Sequence, residues 1–168
     1  MRDVTVALAI HLLSVVLWIG GVAMVTTVLL PAVKRFKTAS ERVAFFESVE
    51  GRFAQQARVT TLLAGTSGFY MMTRLGLWSS LHTPQFWWLS AMVCLWAIFT
   101  LMLFVLEPLF LHRWFKARAK TAPELTFALI QRLHWVLLIA SLVTILGAVT
   151  GSHGVSLFGL PALISTGE

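Results

Sequence analysis

Apolar residues fall into four long runs separated by short polar or cationic stretches. The first covers about 4–30 and stops at Pro31, the second about 59–77 behind Arg58, the third about 86–111 and the fourth about 133–150. A bilayer core about 30 Å thick needs roughly 20 helical residues, so each run is long enough to cross. The pattern predicts an all-α membrane protein, one transmembrane domain over 1–168 built as a four-helix, up-down-up-down bundle. Residues 40–57 read differently: Val43, Phe46, Val49 and Phe53 recur near the helical period among polar neighbours, which predicts an amphipathic lead-in to the second span. Thr121-Ala122-Pro123-Glu124 has the form of a capping box with proline in the first turn, so the fourth helix is expected to begin there. The tail, 154–168, is too short to cross. The apolar stretch 4–33 is too long for a signal-peptide core and is read as a retained span.

Composition supports this reading. Of 168 residues 58% are hydrophobic and 12% charged, against about 45–50% and about 25% in soluble domains, so much of the apolar surface must face lipid. The formal charge of +6 would suggest nucleic acid in a soluble protein; here it is better explained as topology. Lys34, Arg35, Lys37, Arg42, Arg52 and Arg58 flank the first connection, and Arg113, Lys116, Arg118, Lys120 and Arg132 the third, eleven of thirteen cations in all. By the positive-inside rule both connections are cytoplasmic and both termini lie outside, as in a multi-pass protein of a bacterial inner membrane. Trp78, Trp87 and Trp88 are then expected in an outer aromatic belt, and Phe36, Trp114 and Phe115 in an inner one. The lone cysteine, Cys94, excludes an intrachain disulfide and reads as a small buried apolar residue. Glycines at 20, 21, 65, 68, 147 and 151, with Ala140 and Thr144, mark close helix approach or room for a flat cofactor.

Few ionisable side chains occur within the spans, and such groups are costly in lipid. His11 lies roughly 10 Å inside the outer end of the first span at the helical rise, on one face with Val15, Trp18 and Val22. Its imidazole can ligate haem iron or copper through one nitrogen while the other is held by a hydrogen bond; the plainer reading is a histidine bonded to a neighbouring helix. His153, at the outer end of the fourth span, and Met92, two turns into the third, are at comparable depth. Copper accepts imidazole with thioether, and haem accepts His with His or Met. His82 lies in the outer loop. A second group, Arg58, Glu107, His112, Arg132 and His134, lies near the inner boundary. There Glu107 is expected to pair with Arg58 or Arg132, or His134 to ligate a haem whose propionates meet the arginines. His11 and His134, roughly 15 Å apart along the membrane normal by helical rise, do not suit one iron. Phosphate-binding loops, zinc-protease helices, nucleophile elbows and paired cysteines do not occur, which argues against soluble-type hydrolase or kinase chemistry.

The stretch Ile10-His11-Leu12-Leu13-Ser14-Val15-Val16-Leu17-Trp18-Ile19-Gly20-Gly21, with Leu30-Pro31 after it, resembles the first helix of small bacterial membrane proteins of the copper-resistance D type. It is also similar to the first helix of HemJ-type protoporphyrinogen oxidases, whose histidine, seven residues before a tryptophan, is considered a haem-b ligand. The resemblance covers about 28 residues well and the four-span plan loosely. It departs in the third helix: those oxidases place a lysine four residues after a tryptophan, and here Met92 follows Trp88 at that spacing.

Three readings follow. The first is a protein binding b-type haem for electron transfer or membrane oxidoreductase chemistry, with His11 as ligand, Trp18 lining the pocket, and Met92, His134 and His153 as further cofactor-binding candidates. The second is copper capture or transport at the outer face by His11, His153 and Met92. The third is a cofactor-free membrane subunit. The expected partners are the lipid bilayer and a membrane redox partner or quinone, with a homo-oligomer as a further arrangement and no nucleic acid.

Overall fold

A computed structural model describes residues 1–35, 38–111, 114, 117, 118 and 122–154. Four long helices dominate: α1 (Arg2–Val33), α2 (Ala39–Arg74), α3 (Trp87–Leu101, continued by a π-helical stretch Met102–Leu111) and α4 (Pro123–Ser152). No strand occurs among the described residues. Two short 3₁₀ turns, Ser79–His82 and Pro84–Phe86, link α2 to α3.

Three helices, covering Arg2–Val33, Pro84–Leu109 and Glu124–Ser152, are long and apolar enough to cross a membrane, which fits an integral membrane protein. The expected second span differs. Residues 40–57 and 59–74 form one continuous helix of 36 residues, whose apolar part is interrupted by Arg58, Thr60, Thr61, Thr66 and Ser67 and therefore falls below the hydropathy of the other three. It starts one residue before the expected lead-in because Thr38 and Glu41 form a capping box, Thr38 Oγ1 accepting from the Glu41 N–H and the Glu41 carboxylate accepting from the Thr38 N–H. The Thr38 hydroxyl, which donates to Glu41 Oε2 at 2.7 Å, and then the Thr38 N–H hold the Glu41 carboxyl below the ordinary carboxylate range. It ends at Arg74 rather than Leu77 because Gly76 adopts φ 65°, open to glycine at little cost, and the Leu77 N–H turns back to Met72 O at 2.9 Å in a Schellman-type stop. Of the proposed amphipathic face, Val49 and Phe53 pack against the core; the side chains of Val43 and Phe46 lie outside the described ones. The fourth helix is capped at Ala122, with no side-chain cap bond, and Pro123 is in its first turn. The expected cap, Thr121, lies outside the described residues, and Glu124 instead pairs with Arg42 of α2.

α1 does not stop at Pro31 but passes through a π-helical stretch, Val25–Leu29, closed by the Leu30 N–H on Val25 O. Pro108 sits inside the second π stretch. Proline removes a backbone donor and its ring crowds the preceding turn, and a wider turn next to it relieves that crowding without breaking the helix.

Contacts run in opposite order along neighbouring helices. Between α1 and α2, Asp3 accepts from Tyr70 Oη (2.9 Å) and Arg74 Nε (3.0 Å), and Phe53 lies over Gly21. Between α2 and α3, Trp96 Nε1 donates to Thr61 O at 3.0 Å. Trp87 and Trp88 of α3 lie over Gly147 and Gly151 of α4, and Val25, Leu29, Leu30 and Val33 of α1 pack on Phe127 of α4. α1 and α3 thus stand diagonally across the group, each between α2 and α4.

Two sequence expectations change here. Of the outer tryptophans, Trp78 is exposed and stacks on Phe69, but Trp87 and Trp88 point inward, because glycine leaves slots on α4 that an indole fills. Trp114 is exposed with Arg118 over its ring, whereas Phe36 and Phe115 lie outside the described residues. Cys94 is exposed rather than buried, on the outer surface of an apolar helix where its low polarity is suited to lipid.

Candidate functional site

α1–α4 line a half-open cavity of about 380 Å³ at the end of the bundle expected to face outward, and His11, Trp18, Trp88 and Met92 are part of its wall. Ligand sites are typically about 300–1,000 Å³, apolar with a few placed polar groups, and this one fits that description. Ser141 and Thr144 also reach it, but their hydroxyls donate to Leu137 O (2.7 Å) and Ala140 O (2.8 Å) on their own helix. They offer a ligand lone pairs rather than protons.

His11 is held from one side. Its Nδ1 is 2.9 Å from Ala64 O, and since a carbonyl only accepts, Nδ1 carries the proton. In the neutral ring the lone pair is then on Nε2, the arrangement in which imidazole serves as a metal ligand with its second nitrogen fixed. Gly68 makes this possible sterically. A Cβ there would lie 3.2 Å from His11 Cε1 and 3.3 Å from Nδ1, so the ring would have to give by a few tenths of an ångström. Ser67 Oγ, 3.4 Å from Nδ1, adds a weaker polar neighbour and donates to its own helix.

Met92 joins His11 at this cavity from the diagonal helix. Trp96 of α3 stands level with His11, since His11 meets Ala64 and Gly68 while Trp96 lies against Gly65 and Phe69; Met92 lies one turn before Trp96, towards the start of α3. Trp18 is 5% exposed, meets Phe99 edge-on at 4.8 Å, and has no partner for Nε1; Trp88 Nε1 is likewise buried and unpartnered. Val149 and Ser152 reach the cavity, but His153 does not line it. The His153 imidazole is exposed and turned back on α4, with Nδ1 2.8 Å from Val149 O. His82 is exposed on its 3₁₀ turn. Among the described residues no three His, Cys, Asp or Glu side chains gather as a metal-binding group.

The inner group is separate. His134 and Glu107 line a second cavity of about 90 Å³, and Trp18 belongs to the walls of both. His134 donates Nδ1–H to Ile130 O at 2.9 Å. Of the two expected partners for Glu107, the structure selects Arg58, with Nη2 at 3.1 Å from Oε1; Arg132 is exposed, and His112 lies outside the described residues. Arg58 Nε also donates to Leu103 O at 3.2 Å. In a π-helical stretch that carbonyl would look to the N–H five residues on, which is Pro108 and has none. Arg58 therefore supplies the donor that the proline lacks.

Of the residues that the sequence grouped as cofactor-binding candidates, His11, Trp18 and Met92 line this cavity while His134 and His153 do not, and the supporting Ala64 carbonyl and Ser67 were missed. Small residues at 64, 65, 67 and 68 were the available signal, and backbone acceptors leave no trace in side-chain chemistry. Compared with known proteins, the chain matches no family model, no curated protein and no solved structure.

Proposed function

We propose that the protein is a four-span membrane protein that binds b-type haem in the outer cavity, where His11 Nε2 would hold the group, and serves electron transfer or a membrane oxidoreductase reaction. The observation that carries this reading is His11 itself, fixed through Nδ1–H to Ala64 O on the wall of an apolar cavity. Met92 lines the same cavity from the diagonal helix and would be the second residue to hold the group. Haem supplies one-electron chemistry, and a His/Met pair favours a raised potential. The chain contributes ligation, orientation and exclusion of water. Trp18 closes the side shared with the smaller cavity. Copper is the less favoured occupant, because the third expected donor, His153, is turned away from the cavity.

Purified protein is expected to contain about one haem b per chain by pyridine haemochrome assay, and Met92→Leu to keep the haem while shifting its spectrum from six-coordinate low-spin towards five-coordinate high-spin. A colourless protein with stoichiometric copper would refute the haem reading. α2 completes the four spans in this proposal, the connection after α3 facing the cytoplasm and the α2–α3 connection facing out. In a Cys94→Ala background, Ser79→Cys is expected to react with an impermeant maleimide in intact cells and Ala117→Cys only after permeabilisation. The reverse pattern would invert the topology.

A further inference from the structure

The inner cavity has a chemistry of its own. At about 30 Å³ of liquid volume per water it has room on the order of three waters, and it is walled by a carboxylate and an imidazole, Glu107 and His134. Such groups within a span are expensive and default to function. One oxygen of Glu107 is paired with Arg58. His134 uses Nδ1–H on Ile130 O, which leaves the Nε2 lone pair in the neutral ring. The surrounding helices add little else that titrates. α1 has no ionisable side chain from Trp18 to Val33. Among described side chains, α2 brings Arg58 and the exposed Arg52, α3 brings Glu107, and α4 adds the exposed Arg132 and, further inward, Glu124 paired with Arg42. Arg58, Glu107 and a neutral His134 together carry no net charge. One proton on His134 Nε2 makes the site +1, with the Glu107 carboxylate on the wall of the same cavity. Trp18 is the common wall of this cavity and the outer one, so a charge gained on one side is felt on the other through a low-dielectric partition.

We propose that the inner cavity is a redox-linked proton site: when a one-electron donor reduces the haem iron of the outer site, one proton from the inner side binds His134 Nε2, and it is released when the electron leaves. The inference rests on the haem reading. One N–H bond forms per electron accepted, the proton coming from water in contact with the cytoplasmic side, and the electron remains on the iron. Glu107 is the counter-charge and Arg58 its positioning residue.

Spectroelectrochemical titration of the purified full chain from pH 6 to 8 tests the site. The wild-type midpoint is expected to fall as pH rises, towards the limit of one proton per electron, tenfold in equilibrium constant or about 59 mV per pH unit. His134→Gln, whose amide keeps the hydrogen bond to Ile130 O without titrating in this range, is expected to flatten the dependence. Glu107→Gln, which risks instability through Arg58, is expected to move the pH-dependent region to lower pH. Haem-loaded wild type with a pH-independent midpoint, or a slope that persists in His134→Gln, overturns the proton site and leaves the haem reading intact. A preparation without a Soret band overturns both.

Discussion

Arg58→Ala is expected to destabilise the protein by about 3 kcal/mol, at the low end of what breaking a buried ion pair costs because both partners retain some exposure. Two groups lose their partner at once. Glu107 is left with an uncompensated carboxylate in an apolar helix, and Leu103 O loses the Nε donor that substitutes for the missing Pro108 N–H. Lysine is no replacement in kind, since a single ammonium does not serve both positions, so Arg58→Lys is expected to fall between wild type and alanine. The double variant Arg58→Met/Glu107→Leu should lose less than Arg58→Ala alone, because it leaves no unpaired charge. Equilibrium unfolding in mixed micelles measures all three, and an Arg58→Ala protein as stable as wild type would show that the pair contributes nothing.

Gly65→Ala is the second large effect. The added methyl would lie within 2.7 Å of Trp96 Cζ2 and closer still to Nε1. The indole cannot easily withdraw: its N–H is bonded to Thr61 O and its ring meets Phe69 edge-on at 5.0 Å. Overpacking of this kind costs about 1–3 kcal/mol. Gly20→Ala is the control, with nothing within 4 Å of the new methyl, and is expected to be neutral or slightly stabilising through helix propensity. If both variants melt at the same temperature in detergent, close packing of Trp96 on α2 is not a source of stability.

Much of the helix plan was legible because a bilayer demands long apolar runs, and such runs are plain in the sequence. Pro31 and Pro108 misled or were under-read, since a proline that ends a helix in water can be absorbed by a π turn when the chain packs on both sides. Gly76 and Thr38 set the true ends of α2 by backbone conformation and capping, which depend on a few atoms and not on the hydrophobic pattern. For the site, scarcity made His11 and Glu107 stand out, yet the sequence left the order of the helices open. That order puts Met92 and His11 on the wall of one cavity, turns Trp87 and Trp88 inward, and chooses Arg58 over Arg132 for Glu107. His153 shows the opposite case: similar depth suggested a shared site, but its imidazole satisfies itself on the preceding turn.

The central claim is that His11 Nε2 ligates haem in the outer cavity, and the absorption spectrum of the purified protein beside that of His11→Ala tests it most directly. The account predicts a Soret band in the wild type and its loss in a variant that remains folded by circular dichroism. An undiminished Soret band in His11→Ala, or none in the wild type, would contradict it.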